Sequence, residues 1–336
     1  MHGVIDRIAS NDSIEATFVV PVTDDGGSSL QIVQTFGGPA VGDIRNVALR
    51  IAVAQHSCSP ELTDFMYHRL TLSSNAAAEK ELWDCVSAIK TNRVLRQLEE
   101  GLHWMAREGK KRGMDFRNAS IGNMVLYSTW ILRAESGRFT EACDLFTNIL
   151  NLTNCVILPS LEVFRTQDAM QPTFSVVAKL RSGTVLTGQR QISYGEVEPN
   201  AVEVNKTIQS PMDSPIIAFD IISSSALIPC EGLTHDALMI LGRGSTVTSI
   251  LSAAWPHKSL LRSSSKVCLI ENGVCDRESS ASRCRVEVLV KMLALTTFTH
   301  ISLDCEFHYG ADCRVGGENG RYDDDVLFAF LLKLFT

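Results

Sequence analysis

Three aspartates and one arginine stand in two glycine-rich stretches close together in the chain. These are Thr23-Asp24-Asp25-Gly26-Gly27-Ser28-Ser29 and Gly37-Gly38-Pro39-Ala40-Val41-Gly42-Asp43-Ile44-Arg45-Asn46. A scaffold has little use for so many charged groups on backbone-exposing turns, whereas a ligand site does. A third stretch, Gly242-Arg243-Gly244-Ser245-Thr246-Val247-Thr248-Ser249-Ile250, offers hydroxyls and N–H donors. At a helix start that set suits a phosphate, because the first N–H groups of a helix are unpaired and carry partial positive charge. A fourth stretch, Asn118-Ala119-Ser120-Ile121-Gly122-Asn123, opens an apolar run. Here Ser120 or Asn118 is expected to cap a helix, and Gly122 to permit close approach of a ligand or backbone. Asn123 has a donor and an acceptor to offer a base or sugar. The plain structural alternative for this stretch is an ordinary capped helix.

The surrounding chain must position these groups, and it reads as alternating strands and helices. Residues 16–22 are apolar and β-branched and are predicted as a fully buried parallel strand. The acidic turn follows that strand, where open α/β sheets place their ligands. A helix is predicted from Asp43, with Val47, Leu49, Ile51 and Ala52 on its apolar side. Residues 61–113 read as a helical, mostly polar insertion, with Leu82, Val86, Ile89, Leu95, Leu98 and Leu102 at helical spacing. The basic run 107–112 could touch phosphate, but a solvated helix end that favours cations is the plainer reading. Residues 136–150 read as an amphipathic helix, 155–159 as a strand, and 175–180 with 184–187 as a hairpin turning at Arg181-Ser182-Gly183. Further strands are predicted at 238–241, 266–271 and 299–304, and further helices at 285–295 and 323–335.

Composition narrows the class. With 336 residues, 45% hydrophobic and 21% charged, the chain can bury a substantial core and is not a disordered polymer. A formal net charge of -7 argues against general binding of nucleic acid or an anionic membrane. An anionic ligand would then be held by local donors rather than by the overall field. Ten cysteines lie without any CxxC pair, so a structural zinc site has little support and packing is their expected role. His300 and His308 near Asp304 and Glu306 are expected as core or surface histidines rather than metal ligands. With no signal peptide apparent, the expected setting is the cytoplasm with reduced thiols.

TDDGGSS followed by GGPAVGDIRN resembles the signature of the family that contains the 2-phospho-L-lactate transferases (CofD) and the bacterial gluconeogenesis-factor proteins (UPF0052). The stretch around Ser120 to Asn123, Gly188-Gln189-Arg190-Gln191-Ile192-Ser193, the Gly242 turn, and Asp276-Arg277-Glu278-Ser279 extend the resemblance to about Cys284. It lies nearer the gluconeogenesis-factor branch and its eukaryotic relatives. The resemblance implies an α/β fold, a Rossmann-like, doubly wound, mainly parallel sheet with helices on both faces. The division expected is a CofD-like domain over 1–295, with insertions at about 60–113 and 173–195, and a divergent strand and helix over 296–336. The family's first strand and glycine-rich phosphate turn are expected to be missing, because the chain opens on what reads as the middle of a helix.

Two functions follow from the resemblance. The first is a transferase that passes a phospholactyl-type group from a guanylated donor to the hydroxyl of a deazariboflavin acceptor with Mg²⁺. On chemical grounds Asp24, Asp25 and Asp43 would hold the cation, which prefers carboxylate oxygens. Asp43 could take the acceptor's proton and Arg45 could neutralise charge on the transferred group. Asp25, Gly26, Gly27, Ser28, Asn46, Ser120, Asn123, Gly244, Ser245, Thr248 and Ser249 would bind the nucleotide-linked substrate. The second is a non-catalytic, nucleotide-sugar-binding regulatory protein using the same residues. A chain with neither activity is the third reading, drawn from the missing first strand. No nucleic-acid or membrane partner is expected, and a homodimer is compatible with the sequence.

Overall fold

The computed structural model describes residues 2–23, 27–167, 170–171, 173–188, 191–192, 214, 216–222, 237–242, 266–271 and 298–302. Helix α1 (His2–Ala9) leads into strand β1 (Ala16–Val20), followed by α2 (Gly27–Phe36) and α3 (Gly42–Gln55). The polar insertion is α4 (Pro60–Tyr67), α5 (Asn75–Ile89), a 3-10 turn (Arg96–Leu98) and α6 (Glu99–Lys111). Then come α7 (Ile121–Arg133), α8 (Phe139–Ile149) and β2 (Cys155–Pro159). The remaining strands are β3 (Ser175–Leu180), β4 (Val185–Thr187), β5 (Ile216–Ile222), β6 (Ala237–Gly242), β7 (Lys266–Glu271) and β8 (Phe298–Ser302).

Strand β1 pairs in parallel with β2, Ala16 opposite Cys155 and Val20 opposite Pro159. Strands β6, β7 and β8 form a second parallel set, and β4-β3-β5 an antiparallel one. The parallel strands, helices and hairpin agree with the sequence reading. Strand β5 is an addition to it, pairing with β3 from Ser175↔Ile222 to Leu180↔Ile216. Full burial of the first strand is corrected. Val20 is buried but residues 16–19 are half-buried, so the β-branched run does not by itself mean a strand shielded on both faces. The predicted helices at 285–295 and 323–335 lie outside the described residues.

The helix starts explain their own places. Ser59 Oγ accepts from Leu62 N at 3.2 Å ahead of Pro60, and Ser74 Oγ accepts from Ala77 N at 3.1 Å, each satisfying an orphan donor of the first turn. Helix α6 carries Glu99 and Glu100 in its first turn and Lys110 and Lys111 in its last, the arrangement that complements the helix dipole. The basic run is spent on structure: Arg107 and Lys111 pair with Glu108, and Lys110 with Glu79. Arg112 lies 5.1 Å from the Phe36 ring centre.

Helix α7 is the spine of the core. Ile121 to Trp130 are all buried, and the rings of Tyr127 and Phe139 each meet Trp130 edge-on at 5.7 Å. The turn before α3 lies against this spine. Gly37 and Gly38 have φ of 74° and 85°, and a Cβ on Gly37 would lie 1.9 Å from the Gln171 carbonyl oxygen. Only glycine meets both demands.

Candidate functional site

The first turns of α2, α3 and α7 converge on Asn123. Its Oδ1 accepts from Arg45 Nε at 2.9 Å, and its Nδ2 donates to Ser28 Oγ at 2.8 Å and Ser29 Oγ at 3.4 Å. All four residues are buried. One amide thus ties three chain segments far apart in sequence, using both its donor and its acceptor.

Glycines permit the close approach. A Cβ on Gly42 would lie 2.5 Å from Ser29 Oγ. One on Gly122 would meet the Met66 carbonyl oxygen at 2.6 Å and the Arg45 side chain at 3.0 Å. The bare faces of α3 and α7 therefore let the Arg45 stem pass between them.

Arg45 is 2% exposed. Among the described residues its side chain makes one hydrogen bond, to Asn123, and no carboxylate lies within ion-pairing distance. Burial, and next the Arg69 guanidinium, pull its pKa from the usual arginine range down to about 10, with Tyr67 and Asp43 opposing. The group stays charged at neutral pH. A buried cation whose neighbouring carboxylate, Asp43, makes no direct ion pair with it is costly to hold, and a planar guanidinium bonded only through Nε keeps its remaining N–H groups for a further partner.

Segment 68–71 walls this junction. Leu70 N donates to Ala119 O, Ile121 N to His68 O, and Arg69 pairs antiparallel with Ser120. This pairing overturns the expected cap. Ser120 is the residue before α7, but its hydroxyl makes no capping bond. The backbone of His68 takes the first orphan N–H instead. Ser120 Oγ is buried without a partner among the described residues. Asn118 adopts a left-handed backbone, φ 56°, at the corner of the same turn.

The structure brings Ser28, Arg45 and Asn123 to one place. Asp43 is half-buried in the first turn of α3, and Asn46 is exposed on the next residues of that helix. Gly27 begins α2. Asp24, Asp25, Gly26, Gly244, Ser245, Thr248 and Ser249 lie outside the described residues. Sequence reasoning passed over Ser29, which the repeated serine already offered, and Arg69. An isolated arginine between two helices carries no sequence signal. Among the described residues no cluster of three or more metal-ligating side chains occurs, and no helix is long and apolar enough to cross a membrane.

The family profile of the 2-phospho-L-lactate transferase CofD matches residues 7–283. The chain belongs to the CofD family. An uncharacterized protein of Saccharomyces cerevisiae, YNL011C, is 28% identical over 195 residues, 54% of this chain and 40% of that protein. The chain therefore spans 40% of the length of this curated relative. A crystal structure of BH3568, a UPF0052-family protein of Bacillus halodurans, superposes with a TM-score of 0.54 at 16% identity, over 88% of this chain and 74% of that one. A second structure of BH3568 gives 0.53 at 17% identity. At that identity the likeness speaks for the fold, a mixed α/β architecture with parallel strands. The CofD match spans all the residues that meet at Asn123.

Proposed function

We propose that this CofD-family chain binds a nucleotide-linked phosphate ester at the α2–α3–α7 junction and transfers a phospholactyl-type group from a guanylated donor to a deazariboflavin-type acceptor. The observation that carries the reading is Arg45, buried, charged and without a carboxylate partner among the described residues. Asn123, itself bonded to Ser28 and Ser29, holds it in place. In the reaction the acceptor hydroxyl oxygen forms a bond to the lactyl-bearing phosphorus. The phosphorus–oxygen bond to guanosine monophosphate breaks, and Asp43 receives the hydroxyl proton. Arg45 offsets charge on the equatorial oxygens.

Magnesium belongs to this proposal as a charge-neutralising ion on the phosphates. Asp43, in the first turn of α3, is one proposed carboxylate ligand, with Asp24 and Asp25 as the further proposed ligands. Gly244, Ser245, Thr248 and Ser249 are proposed to hold a second part of the nucleotide.

A second reading, a nucleotide-sugar-binding regulatory protein, is favoured by the Asp24–Ser29 and Gly37–Asn46 stretches, which resemble the gluconeogenesis-factor branch more closely. It uses the same donors without Asp43 as base. Guanosine monophosphate release from a guanylated phospholactate, on adding deazariboflavin and Mg²⁺, distinguishes the two. Release that disappears in Asp43→Asn supports transfer. Binding of a UDP-sugar with no release under any condition supports the regulatory reading.

A further inference from the structure

Glu81 reaches the junction from the helical insertion. From the middle of α5 its Oε1 meets His68 Nε2 at 2.8 Å, and its Oε2 accepts from Thr71 N at 2.8 Å. An ionised carboxylate only accepts, so the imidazole donates, and both bonds are charge-assisted. One carboxylate therefore grips both ends of the 68–71 segment. That segment is the wall of the junction: Ile121 N donates to His68 O at 3.0 Å, Leu70 N to Ala119 O at 3.0 Å, and Asn118 N to Leu70 O at 3.1 Å. The next residues along α7 are Gly122 and Asn123. A Cβ on Gly122 would meet both the Met66 carbonyl oxygen and the Arg45 stem, and Asn123 Oδ1 accepts from Arg45 Nε at 2.9 Å. A path of direct contacts thus runs from α5 to the Arg45 guanidinium. The neighbouring acid on the same helix face-to-face with α6 does something else, since Glu79 pairs with Lys110.

We propose that Glu81 is a positioning residue of the site, setting Arg45 through the 68–71 wall and the first turn of α7. Both of its oxygens are engaged by the wall, so it acts through other groups. Helix α7 has no side-chain cap, and the wall's backbone takes the first orphan N–H instead. The place of the wall therefore fixes where α7 begins and where Asn123 presents its Oδ1. The effect of Glu81 on ligand affinity rests on the reading of Arg45 as the anion-binding group, whereas its effect on the Arg45–Asn123 bond does not. The helical insertion, which carries none of the glycine-rich stretches, thereby takes a part in the site.

The test follows hydrogen exchange of the Arg45 Nε–H by NMR in the full chain, and inorganic pyrophosphate affinity by calorimetric titration. The wild type, Glu81→Ala, Glu81→Gln, His68→Ala and Glu79→Ala are compared. Glu81→Ala should speed exchange at Arg45 Nε and at the Ile121 and Leu70 amides, and weaken pyrophosphate, each by about tenfold. Glu81→Gln can still accept from Thr71 N and donate to a neutral imidazole, so it should restore most of both. His68→Ala removes only the imidazole tie and should fall between. Glu79→Ala also breaks an ion pair on α5 and should move neither readout, whereas a merely structural role for Glu81 would make the two alanine variants alike. The His68 side chain is 40% exposed, so its variant decides the matter if Glu81→Ala does not fold. Exchange and affinity unchanged in Glu81→Ala and His68→Ala overturn the positioning role and leave Arg45 as the anion site. Exchange that responds as expected in a protein that takes no pyrophosphate supports the positioning role and overturns the anion reading instead.

Discussion

Replacing Asn123 tests the junction at its centre. Asn123→Ala removes the acceptor of Arg45 Nε and the donor to Ser28 Oγ in one step. Asn123 and Arg45 are each 2% exposed, so water cannot take over either bond without opening the packing of α2, α3 and α7. A hydrogen bond to a charged group contributes about 1.5–3 kcal/mol and a neutral one about 0.5–1.5 kcal/mol. The expected loss is about 3 kcal/mol, a large part of the roughly 5–15 kcal/mol that holds a domain folded. Urea unfolding followed by circular dichroism reads this as a lower midpoint at unchanged slope. Asn123→Asp should behave differently. Its carboxylate accepts from Arg45 Nε, and the Ser28 hydroxyl can rotate to donate to it, so stability should stay within about 1 kcal/mol of the parent. Arg45 would then be neutralised from within, and affinity for a phosphate-bearing ligand should fall at least about tenfold, about 1.4 kcal/mol. An Ala variant as stable as the parent, or an Asp variant that binds as tightly as the parent, refutes the reasoning.

Gly122→Ala should cost about 1–3 kcal/mol, because its methyl group would lie 2.6 Å from the Met66 carbonyl oxygen. It should also weaken anion binding by moving the Arg45 stem, as titration of a refolded variant would show. Arg138→Ala strips the buried Glu162 carboxylate of a partner at 2.9 Å while Thr140 still donates to it. It should cost about 2 kcal/mol by chemical denaturation. The hydrogen bond from Arg117 holds the Asp115 carboxyl below its ordinary range, against a smaller opposing effect of burial. A depressed carboxyl stabilises the fold above its unfolded value and loses that contribution as the pH falls through its folded value. The small gap between wild type and Arg117→Ala expected for so exposed a pair should therefore be present at neutral pH and close in acid. Burial raises the Cys143 thiol well above its usual range, so a thiol reagent at neutral pH should reach Cys143 only after unfolding.

Local pattern and long-range contact were not equally legible. The β-branched run at Ala16–Val20 and the apolar spacing of α3 and α7 announced their elements because those signals are written within a few residues. The glycines at 37, 38, 42 and 122 were visible as permissive positions, but the atoms they make room for lie elsewhere in the chain. Arg45 and Asn123 each stood in a recognisable stretch, and nothing local says that a bond spans the 78 positions between them. The expected Ser120 cap failed for the same reason, since the His68 carbonyl that replaces it arrives from another element. Strand β5 is an apolar run whose partner β3 lies far back in the sequence. The basic run at 107–112 showed the converse case, where the plainer reading held because Glu79 and Glu108 lie within reach.

The most direct test of the ligand site compares the thermal stability of wild type and Asn123→Asp with GDP and Mg²⁺ present. A ligand at a hundred times its dissociation constant adds about 2.7 kcal/mol, which is several degrees in melting temperature for a chain of this size. The account predicts that the wild type gains this stabilisation and that Asn123→Asp, folded but with Arg45 neutralised, gains little of it. Equal stabilisation of the two proteins, or none of the wild type by any nucleotide-linked phosphate, would contradict it.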